Sequence, residues 1–570
     1  MKVVIIGGVA GGATAAARLR RLNETAEIVI IERTGYVSYA NCGLPYYIGG
    51  VITDRAKLTL QTPESFWDRF RIDVRVRQEA VSIDRAAHTV SIRRLDDGSV
   101  YAERYDKLIL SPGARPVDPG VPGTDSERLF TLRTVEDTFR IHDFVEREHP
   151  QAATIVGGGF IGLEMAENLR ERGLDITVVQ RGSHLMPTLD QDMAAILHNH
   201  LRKHGIRVLL DANVTGFSAL DEGIRTALAE GAPLDADLAI MAVGVAPEST
   251  LAREAGLELG LRGAIKVDEH LRTSDPDIYA VGDAIEVKHA VTGKPALIAL
   301  AGPANKQGRI AADNICGIDR TFKGSQGSSV LKMFDLTVAT TGLTLRAAQA
   351  AGLAADAVVL TPANHATYYP GSESLVMKVV FEQNSGRILG AQIVGGAGSD
   401  KRIDVIATAI RAGMDATDLT ELDLAYAPPY ASAKDPVNMA GYLIENILEG
   451  RVEQVGWSEA LELAACEHGS EAGPVLLDTR TADEVARGSV EGALHVPLDE
   501  LRERLDELPS SGRRLLVFCQ SGLRSYVACR ILTQHGFSCA NVSGGYGFLE
   551  QTLRDGALPP SGTGPCGRQV

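Results

Sequence analysis

Two cysteines in this 570-residue chain stand where a thiol can do chemistry. In LLVFCQSGLRS (515–525), Cys519 closes an apolar strand-like run and Arg524-Ser525 opens a helical stretch. The backbone N–H groups of such a loop point inward at the sulfur and stabilise a thiolate or a persulfide. In YANCGLPYYIGG (39–50), Cys42 sits between Asn41 and Gly43, and Gly43 with Pro45 predicts a helix start. A helix N-terminus draws a thiol toward its thiolate. The competing reading of Cys42 is a buried packing residue, which is what most free cysteines are. The seven cysteines (42, 316, 466, 519, 529, 539, 566) form no CxxC pair and leave an odd one over, as expected for single thiols in a reducing cytoplasm. Cys529 and Cys539 read as buried helix and strand residues, and Cys566 as an incidental thiol in a tail.

The elements that position Cys42 come before it. VVII (3–6) reads as a buried strand, Gly7, Gly8, Gly11 and Gly12 surround a turn, a helical stretch runs to about Leu22, and IVIIE (28–32) is the next strand. This βαβ pattern lets backbone N–H groups approach a pyrophosphate at a helix N-terminus, while Glu32 is placed to accept hydrogen bonds from a ribose. The middle glycine of G-x-G-x-x-G falls on Val9. The pattern recurs at 153–180, where Gly157, Gly159 and Gly162 stand in full register and ITVVQ ends on Gln180, followed by Arg181. Two such motifs in one chain argue for two dinucleotide sites. IYAVGDA (278–284) reads as a strand ending in Gly282-Asp283. Lys2 and the apolar residues after it imitate a signal peptide. The strand–turn–helix reading explains more, because Arg18, Arg20 and Arg21 then fall at a helix end, where cations suit the dipole.

From about 325 the pattern becomes strands followed by helices, an α+β domain ending near Gly450. Residues 451–460 read as a connector, 461–557 as a separate α/β domain, and 558–570 as a disordered tail. Lys and Arg number 57 against 73 Asp and Glu, a formal charge of −16. Such a surface repels nucleic acid and anionic membranes, so neither is an expected partner. No apolar run approaches the ~20 residues of a membrane span, and no metal site is expected.

The GGVAGG start, the YANCGLPYYIGG box, GGGFIG and Gly282-Asp283 together resemble the pyridine nucleotide-disulfide oxidoreductases, and within them the coenzyme A-disulfide reductases, over about 1–450. With LLDTR (Asp478, Arg480) and GALHVP (Gly492, His495, Pro497) upstream of Cys519, residues 461–557 resemble a rhodanese domain. The spacing from Cys519 to Arg524 is one residue shorter than in tyrosine phosphatases, which suits a sulfur atom better than a phosphate. The fusion is similar to NAD(P)H-dependent persulfide reductases.

The resemblance implies an α/β protein with two Rossmann-like domains: an FAD-binding domain at 1–113 and 245–324 and an NAD(P)-binding domain at 114–244. An α+β dimerisation domain at 325–450 and a C-terminal rhodanese domain complete it. FAD contacts are implied for Gly7, Gly8, Gly11, Gly12, Glu32, Arg33, Gly113, Gly282 and Asp283. Nicotinamide contacts are implied for Gly157, Gly159, Gly162, Gln180, Arg181 and Gly244, with NADH and NADPH both open. Coenzyme A contacts are implied for Thr14, Arg18, Arg21, Ser38, Asn41, Asn305 and Lys434, the two arginines supplying a local basic patch. Phe70 and Asn305 depart from relatives that carry basic or imidazole groups there. Tyr368 and Tyr426 match tyrosines that reach the partner's flavin site in a homodimer.

Relatives with an internal disulfide carry CxxxxC; here Tyr47 holds the second position. The resting oxidised form then involves a mixed disulfide with coenzyme A, a persulfide or a sulfenic acid on Cys42. The implied activity is reduction of coenzyme A persulfide, polysulfide or coenzyme A disulfide at Cys42, with sulfur transfer at Cys519. The alternatives are an NADH oxidase or peroxidase cycling a Cys42 sulfenic acid, and a sulfur carrier or redox sensor.

Overall fold

A computed structural model describes residues 1–466, 473–509 and 512–556. The expected tail at 558–570, with Cys566, lies outside the described residues. The chain divides into two compact units, Met1–Ser183 with Gly205–Gly327, and His184–His204 with the residues from Ser328 onward.

In the first unit each glycine motif follows the central strand of a five-stranded sheet. The first sheet has the order Ile278–Ala280, Lys107–Leu110, Lys2–Ile6, Glu27–Ile31, Asp73–Arg75, and all its pairings are parallel. Its strands read as continuous apolar runs because both faces are covered; Val3, Val4, Ile5 and Ile30 are fully buried. The second sheet repeats the plan, with the order Arg207–Leu209, Asp175–Val179, Ala152–Val156, Leu238–Met241, Leu129–Phe130. In both, the strand before the glycines has its sequence successor on one side and a later strand on the other. This switch point opens a crevice at the strand carboxyl ends. Helices Ala10–Leu22 and Ala301–Ile315 cross closely over the first crevice, where a Cβ on Gly308 would lie 2.2 Å from the Gly11 carbonyl oxygen.

The second unit holds two further sheets. One is antiparallel, in the order Ser329–Met333, Leu336–Gly342, Ile388–Gly395, Leu375–Glu382, Ala355–Leu360, and helix Ser399–Ala412 packs on it. The other is parallel, in the order Glu453–Val455, Cys539–Val542, Leu515–Phe518, Val475–Asp478, Leu494–His495.

Two sequence expectations need correction. Residues 451–460 are not an open link: Glu453–Val455 is an edge strand of the C-terminal sheet, and Trp457 Nε1 donates to the Gly545 carbonyl at 2.8 Å. Helix Gln191–Lys203, expected to belong with the second glycine motif, is held inside the second unit. Buried Lys378 pairs with Asp190 at 3.1 Å and with Asp192 at 2.8 Å, and His198 Nδ1 lies 2.8 Å from Asp555 at the end of the last helix.

Candidate active site

The two glycine turns are built alike. Gly7 and Gly157 have φ of +94° and +109°, and a Cβ on either would strike the carbonyl of Ser111 (2.1 Å) or Ala242 (2.2 Å). A Cβ on Gly12 would lie 1.9 Å from the Gly7 carbonyl oxygen, and one on Gly162 2.0 Å from that of Gly157, so these two glycines let each helix press onto its own turn. Gly159 differs: a Cβ there would meet nothing within 4 Å. The chain itself does not require that glycine. It leaves a cradle at a helix N-terminus that a dinucleotide pyrophosphate fits. Val9, at the equivalent place, is the N-cap of Ala10–Leu22. Gly244, with φ of +110°, likewise borders open space.

Strand-end polar groups tie back to these turns. Gly8 N–H donates to Glu32 Oε2 at 2.9 Å, and Gly158 N–H donates to Gln180 Oε1 at 3.0 Å. Arg33 and Arg181 are exposed beside them. Gly113 packs on Arg133, whose Nε donates to the Ala114 carbonyl at 2.7 Å. Gly282, with φ of +81°, donates its N–H to Gln307 Oε1 at 2.7 Å and turns Asp283 into the crevice. Burial pushes the Asp283 carboxyl up despite Arg133, and no described side chain or backbone group hydrogen-bonds it. A half-buried acid left without a donor suits a ligand hydroxyl. These features fit the two dinucleotides.

Cys42 lies in the single turn Asn41–Gly43 that runs into helix Leu44–Ile48, with Pro45 in the first turn as expected. The residue is exposed at the surface, with its sulfur partly shielded, and does not belong to a core. The thiolate-favouring field expected at this helix start is opposed by the groups around it. Burial pushes the thiol up, and Glu164 and then Asp283 push it further. The helix has five residues, and both charged neighbours are anionic. Tyr47 is packed away against Phe139 and His142, with ring centroids 5.8 and 4.8 Å off.

Glu164, which the sequence reading missed, lies on helix Phe160–Glu171. Desolvation, then Glu167, raises its carboxyl to about 7. The available signal was an acid two residues after Gly162, among the buried residues Leu163, Met165 and Ala166.

Six of the residues expected to meet coenzyme A lie in the first unit, and Lys434 lies in the second. Thr14 Oγ1 donates to Asn305 Oδ1 at 2.5 Å, and Asn41 Oδ1 lies 3.5 Å from Arg133. Ser38, at φ of +47°, donates its N–H to the Gly8 carbonyl at 2.8 Å. Arg18 is not the open cation expected: its Nε is bound to the buried Asp313 at 2.7 Å. Arg21 and Lys434 are exposed, and Phe70 is half-buried on the core. The basic patch is therefore smaller than the sequence implied.

In the second unit Tyr368 and Tyr426 join hydroxyl to hydroxyl at 2.8 Å, with Tyr368 75% and Tyr426 46% exposed. Tyr426 borders a cleft of 470 Å³ with Asn364, His365, Lys401, Pro429 and Tyr430. Buried Arg402 underlies it: Nη2 donates to the Asn364 carbonyl at 2.8 Å and to Asp435 at 3.1 Å, and Nη1 donates to the Gly398 carbonyl at 3.1 Å.

Cys519 is fully buried at the end of Leu515–Phe518. Gly522 N–H, one backbone donor of the kind expected from the loop, donates to Sγ at 3.1 Å, and the Ser525 hydroxyl donates to it at 3.5 Å. Arg524 is paired with Glu484 through two bonds of 2.8 and 2.7 Å, which hold that carboxyl down at about 2. Glu484 is a second residue that sequence reasoning missed. Asp478 and Arg480 form a buried pair at 2.7 Å, and His495 Nε2 lies 2.9 Å from the Arg480 carbonyl. Cys529 and Cys539 are buried on helix and strand.

Comparison with known proteins agrees with this geometry. Residues 1–308 match the pyridine nucleotide-disulphide oxidoreductase family, 328–436 its dimerisation domain, and 463–547 the rhodanese-like domain. A coenzyme A disulfide reductase of Staphylococcus epidermidis is 37% identical over 442 residues, covering 77% of this chain and 99% of that protein. The reduced Bacillus anthracis CoADR-RHD superimposes with a TM-score of 0.94 at 47% identity, covering 97% of this chain and 98% of that one. A NAD-dependent persulfide reductase from A. fulgidus superimposes with a TM-score of 0.89 at 39% identity, over 96% of this chain and 100% of that one. The chain belongs to the pyridine nucleotide-disulphide oxidoreductases, carrying a rhodanese-like domain at its C-terminal end.

Proposed function

We propose that the enzyme uses NAD(P)H to reduce coenzyme A persulfide, polysulfide or coenzyme A disulfide at Cys42, and that Cys519 carries sulfane sulfur. One observation carries this reading. The chain holds two separate sulfur sites, an exposed lone thiol in the flavoprotein half and a buried thiol under loop donors in the rhodanese-like half.

FAD, when bound, supplies hydride acceptance from the nicotinamide and a two-electron source for sulfur. Gly7, Gly12, Glu32, Gly282 and Asp283 would hold it, and Gly157, Gly159, Gly162 and Gln180 would hold the nicotinamide dinucleotide. Gln180 brings no carboxylate to repel a 2′-phosphate and Arg181 stands exposed beside it, which supports use of NADPH as well as NADH.

Cys42 attacks a sulfur of the substrate as the thiolate. The substrate S–S bond breaks, the leaving sulfur departs as a thiolate (coenzyme A, or the shortened polysulfide where polysulfide is the substrate), and a new S–S bond forms on Cys42. Two electrons and two protons then restore the Cys42 thiol and release sulfide or the second thiol. Tyr47 stands where a resolving thiol would be, so no internal disulfide competes. Glu164, with a carboxyl at about 7, is protonated in about half of the molecules at neutral pH, and that form can give a proton to a departing thiolate.

At Cys519 the Gly522 N–H and the Ser525 hydroxyl steady a negative terminal sulfur. The exposed Tyr368–Tyr426 pair supports a homodimer in which these hydroxyls complete the partner's site. Among the described residues no helix is long and apolar enough to cross a membrane, and a chemistry of single thiols supports a cytoplasmic location.

The test pairs two variants. Cys42→Ser should abolish NAD(P)H oxidation by coenzyme A disulfide and by persulfide. Cys519→Ser should keep disulfide reduction and lose sulfur uptake from thiosulfate, read by intact mass. Full turnover by the Cys42 variant would sink the proposal.

A further inference from the structure

Helix Gln191–Lys203 in the second unit reaches His204 at its C-cap, one turn after His200. This spacing stacks the two imidazoles on one face, with ring centroids 4.4 Å apart. The turn between strands Ser329–Met333 and Leu336–Gly342 brings Asp335 over them. Its Oδ1 lies 3.1 Å from His200 Nε2 and 3.7 Å from His204 Nε2. One donor atom from each of the three residues falls within 4.8 Å of the others.

The rings are oriented by their surroundings. His204 Nδ1 lies 3.0 Å from the His200 carbonyl, which only accepts, so the ring carries its proton on Nδ1. In the neutral ring Nε2 is then an acceptor, and it faces a carboxylate oxygen that is also an acceptor. At 3.7 Å the two atoms are too far apart to hydrogen-bond and near enough to share one cation. His204 cannot easily turn away, because its ring lies flat on Phe334 at 4.1 Å and 3°. The Met333 carbonyl oxygen, 3.1 Å from His200 Nε2, places a further oxygen that can ligate a cation at the same spot.

We propose that His200, His204 and Asp335 bind one divalent transition-metal ion of the zinc class, with the Met333 carbonyl or a water as fourth ligand. Two imidazoles and a carboxylate favour zinc, cobalt or nickel over magnesium or calcium. Ligand atoms at ~2.0–2.1 Å from one tetrahedral ion stand roughly 3.3 Å apart, a spacing that falls between the two observed separations. On binding, His200 shifts its proton from Nε2 to Nδ1, and His204 keeps the Nδ1–H bond to its own helix that fixes ring orientation. The ion fastens the end of this helix to the strand turn. His198 and Arg202 of the same helix meet Asp555 of the C-terminal domain, so the ion also steadies the seat of that domain.

The experiment uses chelator-treated holoenzyme dialysed against zinc, comparing the wild type with a variant carrying His200→Ala and His204→Ala. Thiols bind zinc in both proteins, so the difference is the quantity read. The wild type should hold one additional equivalent, and zinc should raise its Tm but not that of the variant. With cobalt, the additional site should show visible ligand-field bands without a thiolate charge-transfer band. Equal zinc content in the two proteins overturns the proposal. Should the double variant fail to fold, Asp335→Asn on the exposed turn replaces it. That variant should bind the additional zinc at least ~10-fold more weakly, and unchanged binding overturns the proposal.

Discussion

Removing the charge of Asp435 should loosen the Tyr426 cleft without touching the rhodanese-like chemistry. The side chains of Arg402 and Asp435 are 1% and 4% exposed, so Asp435→Asn leaves a guanidinium deep in protein without its counter-ion. Breaking one partner of such a pair costs about 3–5 kcal/mol. Asp435 also caps helix Pro436–Leu448 through the Val437 N–H at 3.0 Å. Asparagine keeps that cap, whereas alanine loses it for about a further 1 kcal/mol. At roughly 2–4 °C per kcal/mol for a unit of this size, Asp435→Asn should lower the calorimetric transition of the second unit by about 10 °C. Arg402→Met alone should cost a similar amount, and the double variant less than the sum of the two. Because Arg402 anchors the backbone at Asn364 and Gly398, NAD(P)H-dependent turnover should fall while persulfide loading on Cys519 stays normal. A coupling below about 0.5 kcal/mol in the double-mutant cycle would refute the reasoning, as would parallel loss of both activities.

Three other perturbations have definite signs. Glu164→Gln removes an anion that raises the Cys42 thiol, so alkylation of Cys42 near pH 8 should quicken roughly 2–5-fold; an unchanged rate would remove Glu164 from the site. Gly159→Ala should leave Tm unchanged yet weaken nicotinamide binding by about tenfold or more, because its Cβ enters empty space where a phosphate would lie. Gly162→Ala drives a Cβ to 2.0 Å from a carbonyl oxygen and should destabilise the fold itself; the same thermal loss in both variants would contradict this assignment. The Glu484 carboxyl is held at about 2 against an ordinary 4.5, so its stabilisation is present above pH 4.5 and is lost as pH falls toward 2. The shift corresponds to about 3 kcal/mol, reduced to roughly 1–2 by the partial exposure of the pair. Urea unfolding followed by the fluorescence of buried Trp457 should show that loss in the wild type and not in Glu484→Gln.

What could be read from the sequence was what local pattern dictates. The glycine turns, the Cys519 loop and the single-thiol box each lie within about a dozen residues, where backbone conformation and chemistry share one stretch of chain. What escaped depends on groups far apart in sequence. Glu164 matters to Cys42 only because helix Phe160–Glu171 packs against Leu44–Ile48. Burial first, and that carboxylate second, push the thiol opposite to the expected direction, since a helix start is legible locally and a distant packing partner is not. Arg18 looked like a free phosphate ligand until the fold placed Asp313 against it. Arg402 with Asp435, and His200 with Asp335, were hidden for the same reason. The edge strand Glu453–Val455 was too short to show a period of its own.

That edge strand decides where the protein can be cut. Glu453, Gln454 and Val455 pair with Ala540, Asn541 and Val542, so an excised fragment beginning at residue 461 would expose the flank of Cys539–Val542 as an open ribbon. An uncovered apolar ribbon recruits other chains and aggregates. Gln454 donates to the Ala357 carbonyl at 3.1 Å, and Ser543 Oγ accepts from the Val359 N–H at 2.9 Å. The seam thus spends polar groups from both sheets. A soluble Cys519 fragment must start ahead of Glu453, and limited proteolysis should release none that starts later.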